Sequence, residues 1–187
     1  MFSFALAFVT LFATLPYPFS PSQLSLVNML TIGLPSFVLA LEPNSSQVKG
    51  RFMSNVLYRA LPAALTDLVL IVGILLFYLA FNLSDGALST ICTAVMGVVG
   101  LLMVHRTCKP YNKLRIVLMA GISVAFAVCF LFLKDLFILS SLQFSDGLIL
   151  VVFSLLAWPT MHVMDRGLDT LRDYLSQLKT KLRQSAL

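Results

Sequence analysis

Residues Pro21 to Asn44 read PSQLSLVNMLTIGLPSFVLALEPN, and this stretch decides the fold. It is an apolar run interrupted at its middle. Asn28 and Thr31 place two polar side chains on it, and Gly33 and Pro35 follow at once. A proline inside a helix removes a backbone donor and crowds the preceding turn. Within a bilayer that break is tolerated only where protein or a water-filled cavity satisfies the freed carbonyls. Two readings follow. Broken helices with polar groups near the bilayer midplane are where transporters hold ions. A proline-kinked helix whose Asn and Thr bond to neighbouring helices is also common in membrane bundles.

The apolar character extends over the whole chain. Its 187 residues are 59% hydrophobic and only 11% charged, with a mean hydropathy of +0.93. A soluble domain carries about a quarter charged residues. The expected fold class is therefore all-α, a polytopic membrane helix bundle surrounded by membrane lipid. The net charge of +5 then reports topology. The basic residues are not interleaved with aromatics on a polar surface, which excludes a nucleic-acid partner.

About six spans are expected, over residues 1–15, 23–41, 60–81, 86–104, 114–133 and 146–163. The first is apolar but shorter than the roughly 20 residues that cross the hydrocarbon layer. It lacks the basic n-region and cleavage site of a signal peptide. Pro62 falls in the first turn of the third span as read here, an allowed position. Ser84 or Asp85 is placed to cap the fourth span. Lysine and arginine concentrate in the 42–59 connection, the 105–115 loop and the tail, whereas the opposite loops hold only Lys134. The positive-inside rule then places both termini of a multi-pass cell-membrane protein in the cytoplasm. The tail, 164–187, carries Leu168, Leu171, Leu175, Leu178 and Leu182 at helical spacing, with Lys179, Lys181 and Arg183 beyond. Such a stripe marks either an amphipathic helix that packs on the bundle or one that lies on the membrane or a partner domain.

A longer pattern runs through the opening stretch. Pro21, Gln23 and Leu24 are followed by Val27, Asn28, Leu30, Thr31, Gly33, Leu34 and Pro35, then by Leu41, Glu42 and Pro43. This spacing resembles the sixth membrane helix of P-type cation-transporting ATPases. It is most similar to the bacterial calcium- or magnesium-type branch, cation-transporting ATPase E-like. The resemblance implies that the chain supplies the end of the fifth helix and all of the sixth to tenth. It implies a transported cation, Ca2+ or Mg2+, with Asn28 and Thr31 on the metal-coordinating positions. The next position, an acid in calcium pumps, is Ile32 here, and the fifth-helix ligand position falls near Ser3. The family's phosphorylation motif, DKTGT, and its nucleotide-binding domain are not in these residues. No catalytic or cofactor-binding residue is therefore assigned, and the resemblance implies a C-terminal piece of a pump that works with the missing N-terminal pump domains.

Other candidates carry less chemistry. Cys92, Cys108 and Cys129 have no metal or disulfide spacing. His105 and His162 fall near cytoplasmic span ends and read as interfacial. Asp67 is an acid in the body of a span, about one turn past Pro62, and reads as a paired structural acid at the positive end of a helix. Gly121, Ala125 and Cys129 form a small-residue ridge. Two alternatives stand beside the pump reading. One is a self-standing six-helix protein that regulates or assembles with a partner membrane protein; the other is a non-functional truncated pump. An intramembrane enzyme ranks last, because no paired acids or metal-ligand set lies within the spans.

Overall fold

The computed structural model describes residues 2–13, 16–42, 52–109, 111–132, 137, 139 and 144–184, with side chains outside that description at both ends of α1, at 52–59 and beyond 170. Among the described residues every regular element is helical. In chain order they are α1 (Phe2–Ala13), α2 (Pro21–Asn28), a π-helical turn (Met29–Gly33) and α3 (Leu34–Ala40). These are followed by α4 (Phe52–Phe81), α5 (Asp85–Thr107), α6 (Lys113–Phe132) and α7 (Phe144–Gln184). Five stretches are long and apolar enough to cross a membrane: Pro21–Ala40, Ala60–Phe81, Asp85–Thr107, Lys113–Phe132 and Phe144–Thr170. A sixth apolar helix, Ser3–Phe12, is shorter. The chain is an all-α membrane helix bundle.

Helix α5 is the axis of that bundle. Buried residues make up 61% of its apolar window, against 17–28% in the other spans. Its small residues explain this, because close helix approach in lipid depends on them. A Cβ at Gly97 would strike the Phe126 ring of α6. A Cβ at Gly100 would lie 2.8 Å from Cβ of Thr31 in the broken helix. The buried hydroxyls of Thr90 and Thr93 donate to the carbonyls of Gly86 and Ser89, at 2.8 and 2.7 Å, so no polar group is stranded there. One apolar cluster joins α5 to α1, α4 and α7 through Leu6, Ile71, Ile74, Val95 and Phe153. A second joins the broken helix, the end of α5 and α6 through Leu26, Leu30, Val104, Ile122 and Phe126. The outer face of α6 stays apolar at Val117, Val124 and Leu131, as a lipid-facing surface requires.

The ends of the helices are fastened by polar contacts. Gln23, buried in α2, accepts from the Ser20 backbone N–H at 3.1 Å and from Ser89 Oγ of α5 at 2.6 Å. Ser84 caps α5, its Oγ accepting from the Ala87 N–H at 3.2 Å. At the same end the Tyr78 hydroxyl donates to Asp85 at 2.7 Å. Asn82 leaves α4 with φ +48°, a left-handed turn that Asn tolerates. At the opposite end Arg115 grips Glu42 through Nε at 2.9 Å and through a terminal nitrogen at 2.8 Å. Arg115 also reaches the Cys108 carbonyl at 3.4 Å, and Arg106 pairs with Asp165 of α7. The ends of α3 and α5, the start of α6 and the polar part of α7 therefore meet on one side of the bundle.

Two helix boundaries differ from those read in the sequence. Helix α4 begins at Phe52, so Pro62 lies inside it rather than in its first turn. The sixth span and the tail form one continuous helix, α7, that contains Pro159. The side chains of Leu171, Leu175, Leu178 and Leu182, and the residues of the 43–51 connection, lie outside the described residues.

Two measurements follow from this packing. Gly100→Ala forces a methyl group against Thr31, and overpacking of this kind costs about 1–3 kcal/mol. A lower thermal midpoint in detergent is expected, partly restored when Thr31→Ser deletes the opposing methyl group. Separately, the hydrogen bond from Arg115 holds the Glu42 carboxyl below its ordinary value of 4.5. A carboxyl lowered on folding adds stability that is present above its unfolded value and lost as pH falls through its folded value. Thermal midpoints taken downward from pH 4.5 should fall, and Glu42→Gln should flatten that slope.

Candidate cation site

The break in the membrane helix is a backbone event. The Leu34 N–H donates to the Met29 carbonyl, one residue further back than an α-helix would reach. The Leu30 carbonyl thus loses its usual donor. Pro35 has no N–H to offer the Thr31 carbonyl, which loses its donor too. π-turns of this type are frequent at functional sites. Asn28 precedes the turn and Thr31 lies within it.

Both residues line one cavity of about 410 Å³. Val27 and Ile32 of the broken helix line it with them, and Ser3 of α1 contributes at one side. From α4 come Ala60, Ala63, Ala64 and Asp67, a single helix face whose small residues leave space beside the acid. From α5 come Met96, Val99, Gly100 and Met103. The structure thus brings together Asn28, Thr31 and Ser3, the three positions singled out in the sequence. The Asn28 side chain is exposed to the cavity and makes no hydrogen bond among the described residues. The Thr31 hydroxyl donates its proton to the Val27 carbonyl at 2.7 Å, which leaves its oxygen lone pairs available. Ile32 is 60% exposed and adds only apolar surface.

Asp67 was misread in the sequence, and the structure corrects it. It lies about four turns beyond Phe52, and the positive end of a helix acts only within its first turn. Nor is it paired. Its residue is half-buried, yet Oδ1 is sealed from solvent and has no hydrogen-bond partner. The helix start, placed eight residues late, hid this. A carboxylate four residues from Ala63 and three from Ala64 was the available signal.

The remaining titratable residues gather elsewhere. His105 hydrogen-bonds the Tyr111 hydroxyl through its ring. With His162, Arg106, Lys109 and Asp165 it lines a small cavity of about 190 Å³ at the charged end of the bundle. Cys92 and Cys108 are buried and free. Among the described residues no group of three His, Cys, Asp or Glu is placed to hold a metal ion, so any cation in the large cavity would rely on mixed oxygen donors.

The chain is similar to several bacterial transport proteins. It is 31% identical over 102 residues to the probable cation-transporting ATPase exp7 of Streptococcus pneumoniae, a match covering 54% of this chain and 13% of that protein. It is 28% identical over 118 residues to the calcium-transporting ATPase CtpE of Mycolicibacterium smegmatis, covering 61% of this chain and 15% of that protein. The CtpE protein of Mycobacterium bovis is 27% identical over 128 residues, with the same coverage. The chain therefore spans only 13–15% of the length of these curated relatives. No family model matches it, and no solved structure does. Across more than half of its length this membrane chain is homologous to bacterial P-type cation-transporting ATPases.

Proposed function

We propose that the cavity is a cation-binding station on the translocation pathway of a P-type pump, with Ca2+ or Mg2+ as cargo and Asn28 and Thr31 as ligands. The observation that carries this reading is the π-turn. It frees backbone carbonyls in the same segment that presents Asn28 and Thr31 to a cavity between helices. Hard cations take oxygen ligands from carbonyls, amides and hydroxyls, and these are the groups this segment offers. Two of the relatives are named calcium-transporting, which favours Ca2+. Phosphorylation by ATP would be supplied by domains outside these residues. The positive-inside pattern supports cytoplasmic termini, and the pairs Glu42–Arg115 and Arg106–Asp165, which gather charged helix ends on one side of the bundle, are consistent with that reading.

The test of the site uses the chain in lipid nanodiscs, titrated calorimetrically with CaCl2 and with MgCl2. Binding of one ion is expected, and Asn28→Ala or Thr31→Ala should each weaken it about tenfold, the scale of one ligand to a charged group. No binding by the unsubstituted chain would overturn the reading and favour the self-standing membrane partner. Orientation is tested in cells with single cysteines introduced on a background lacking Cys92, Cys108 and Cys129. A membrane-impermeant maleimide should label Leu83→Cys in intact cells and Lys109→Cys only after permeabilisation; the reverse pattern inverts the topology.

A further inference from the structure

We propose that Asp67 is the charged ligand of this cation site, reaching the cargo from α4 beside Asn28 and Thr31 of the broken helix. The inference rests on the cation-binding reading above and adds to it the residue that carries the negative charge. It starts from the sum of what lines the cavity. Among the described residues the polar lining is Ser3, Asn28, Thr31 and Asp67, with no Lys, Arg or His. Three of those four are neutral. Neutral oxygens alone do not offset a divalent charge in a low-dielectric interior. Among the described lining residues Asp67 is the one group that can.

The surroundings of Asp67 point the same way. An acid within a membrane span is costly unless something pairs with it. Among the described residues no such pair is present, and Oδ1 is buried without a hydrogen-bond partner. Helix α4 provides none through its dipole, because Asp67 sits deep in its interior. The adjoining Thr66 hydroxyl is engaged elsewhere, donating to the Pro62 carbonyl at 2.8 Å. What α4 does provide is room. Ala60, Ala63 and Ala64 lie one and two turns before Asp67 on its own face and keep the space beside the carboxyl open. A half-buried acid that lines open space opposite neutral oxygen ligands, its second oxygen sealed without a partner, is complementary to a cation.

The experiment compares the unsubstituted chain, Asp67→Asn and Asp67→Glu in nanodiscs. Calorimetry and thermal midpoints are recorded with and without the ion that the unsubstituted chain binds. Asp67→Asn should weaken binding about 100-fold, the upper range for a charged hydrogen-bonding partner, whereas Asp67→Glu should keep most of it. Without ion, Asp67→Asn should melt at the same temperature or higher, because it removes an acid that has no partner among the described residues. With ion, the midpoint of the unsubstituted chain should rise and that of Asp67→Asn should not. Binding by Asp67→Asn equal to that of the unsubstituted chain overturns the role of Asp67 and leaves Asn28 and Thr31 as ligands. An ion-free midpoint that drops in Asp67→Asn makes the acid structural and overturns the proposal as well. Failure of the unsubstituted chain to bind either ion overturns the cation-binding reading itself.

Discussion

The close seat of Thr31 against Gly100 is the contact on which the rest of this structure depends. A broken membrane helix exposes backbone carbonyls that lipid cannot satisfy. It is stable only if its weak point is held inside the protein. Helix α5 holds it there, and can do so because it offers a glycine where any side chain would strike Thr31. Leu26 and Leu30 then pack with Val104 of α5 and with Ile122 and Phe126 of α6. Gln23, tied to Ser89, fixes the start of the broken helix on the same axis. The break is thus framed from both sides, and its polar groups face a cavity instead of hydrocarbon.

The cavity has a consistent chemical character. One wall is an irregular backbone with amide and hydroxyl side chains, another is an alanine face ending in a carboxylate, and the floor is thioether and aliphatic surface from α5. On the proposed reading, this is the lining for an ion that exchanges water for protein oxygens. Among the described lining residues no hydroxyl is hydrogen-bonded to the Asp67 carboxyl, and that of Thr31 is engaged by the Val27 carbonyl. In the resemblance to calcium pumps, Ile32 stands where an acid is expected. On the proposed reading, Asp67 on a neighbouring helix returns a carboxyl group to the cavity.

The charged ends of the bundle do different work. Arg115 binds Glu42 and the end of α5 together, and Arg106 fastens α7. Partly exposed ion pairs of this kind contribute modestly to stability. Their geometric effect is larger, because they set the register of helices whose lipid-facing sides are uniformly apolar and specify nothing.

Read without a structure, the chain declares its class and its break. The bilayer imposes those features locally: roughly twenty apolar residues to cross, and a proline that no helix interior ignores. That Asn28 and Thr31 lie at the break was legible for the same reason, since they sit beside Gly33 and Pro35 in one short segment. The partners of that segment were not legible. Gln23 meets Ser89 across 66 residues, and the role of Gly100 appears only when Thr31 is laid against it. Asp67 was misjudged because its meaning depends on where α4 begins and on what faces it, and only the packed bundle decides either. Local backbone chemistry is written residue by residue, whereas the pairing of helix faces in lipid is chosen by shape, which a linear sequence does not display.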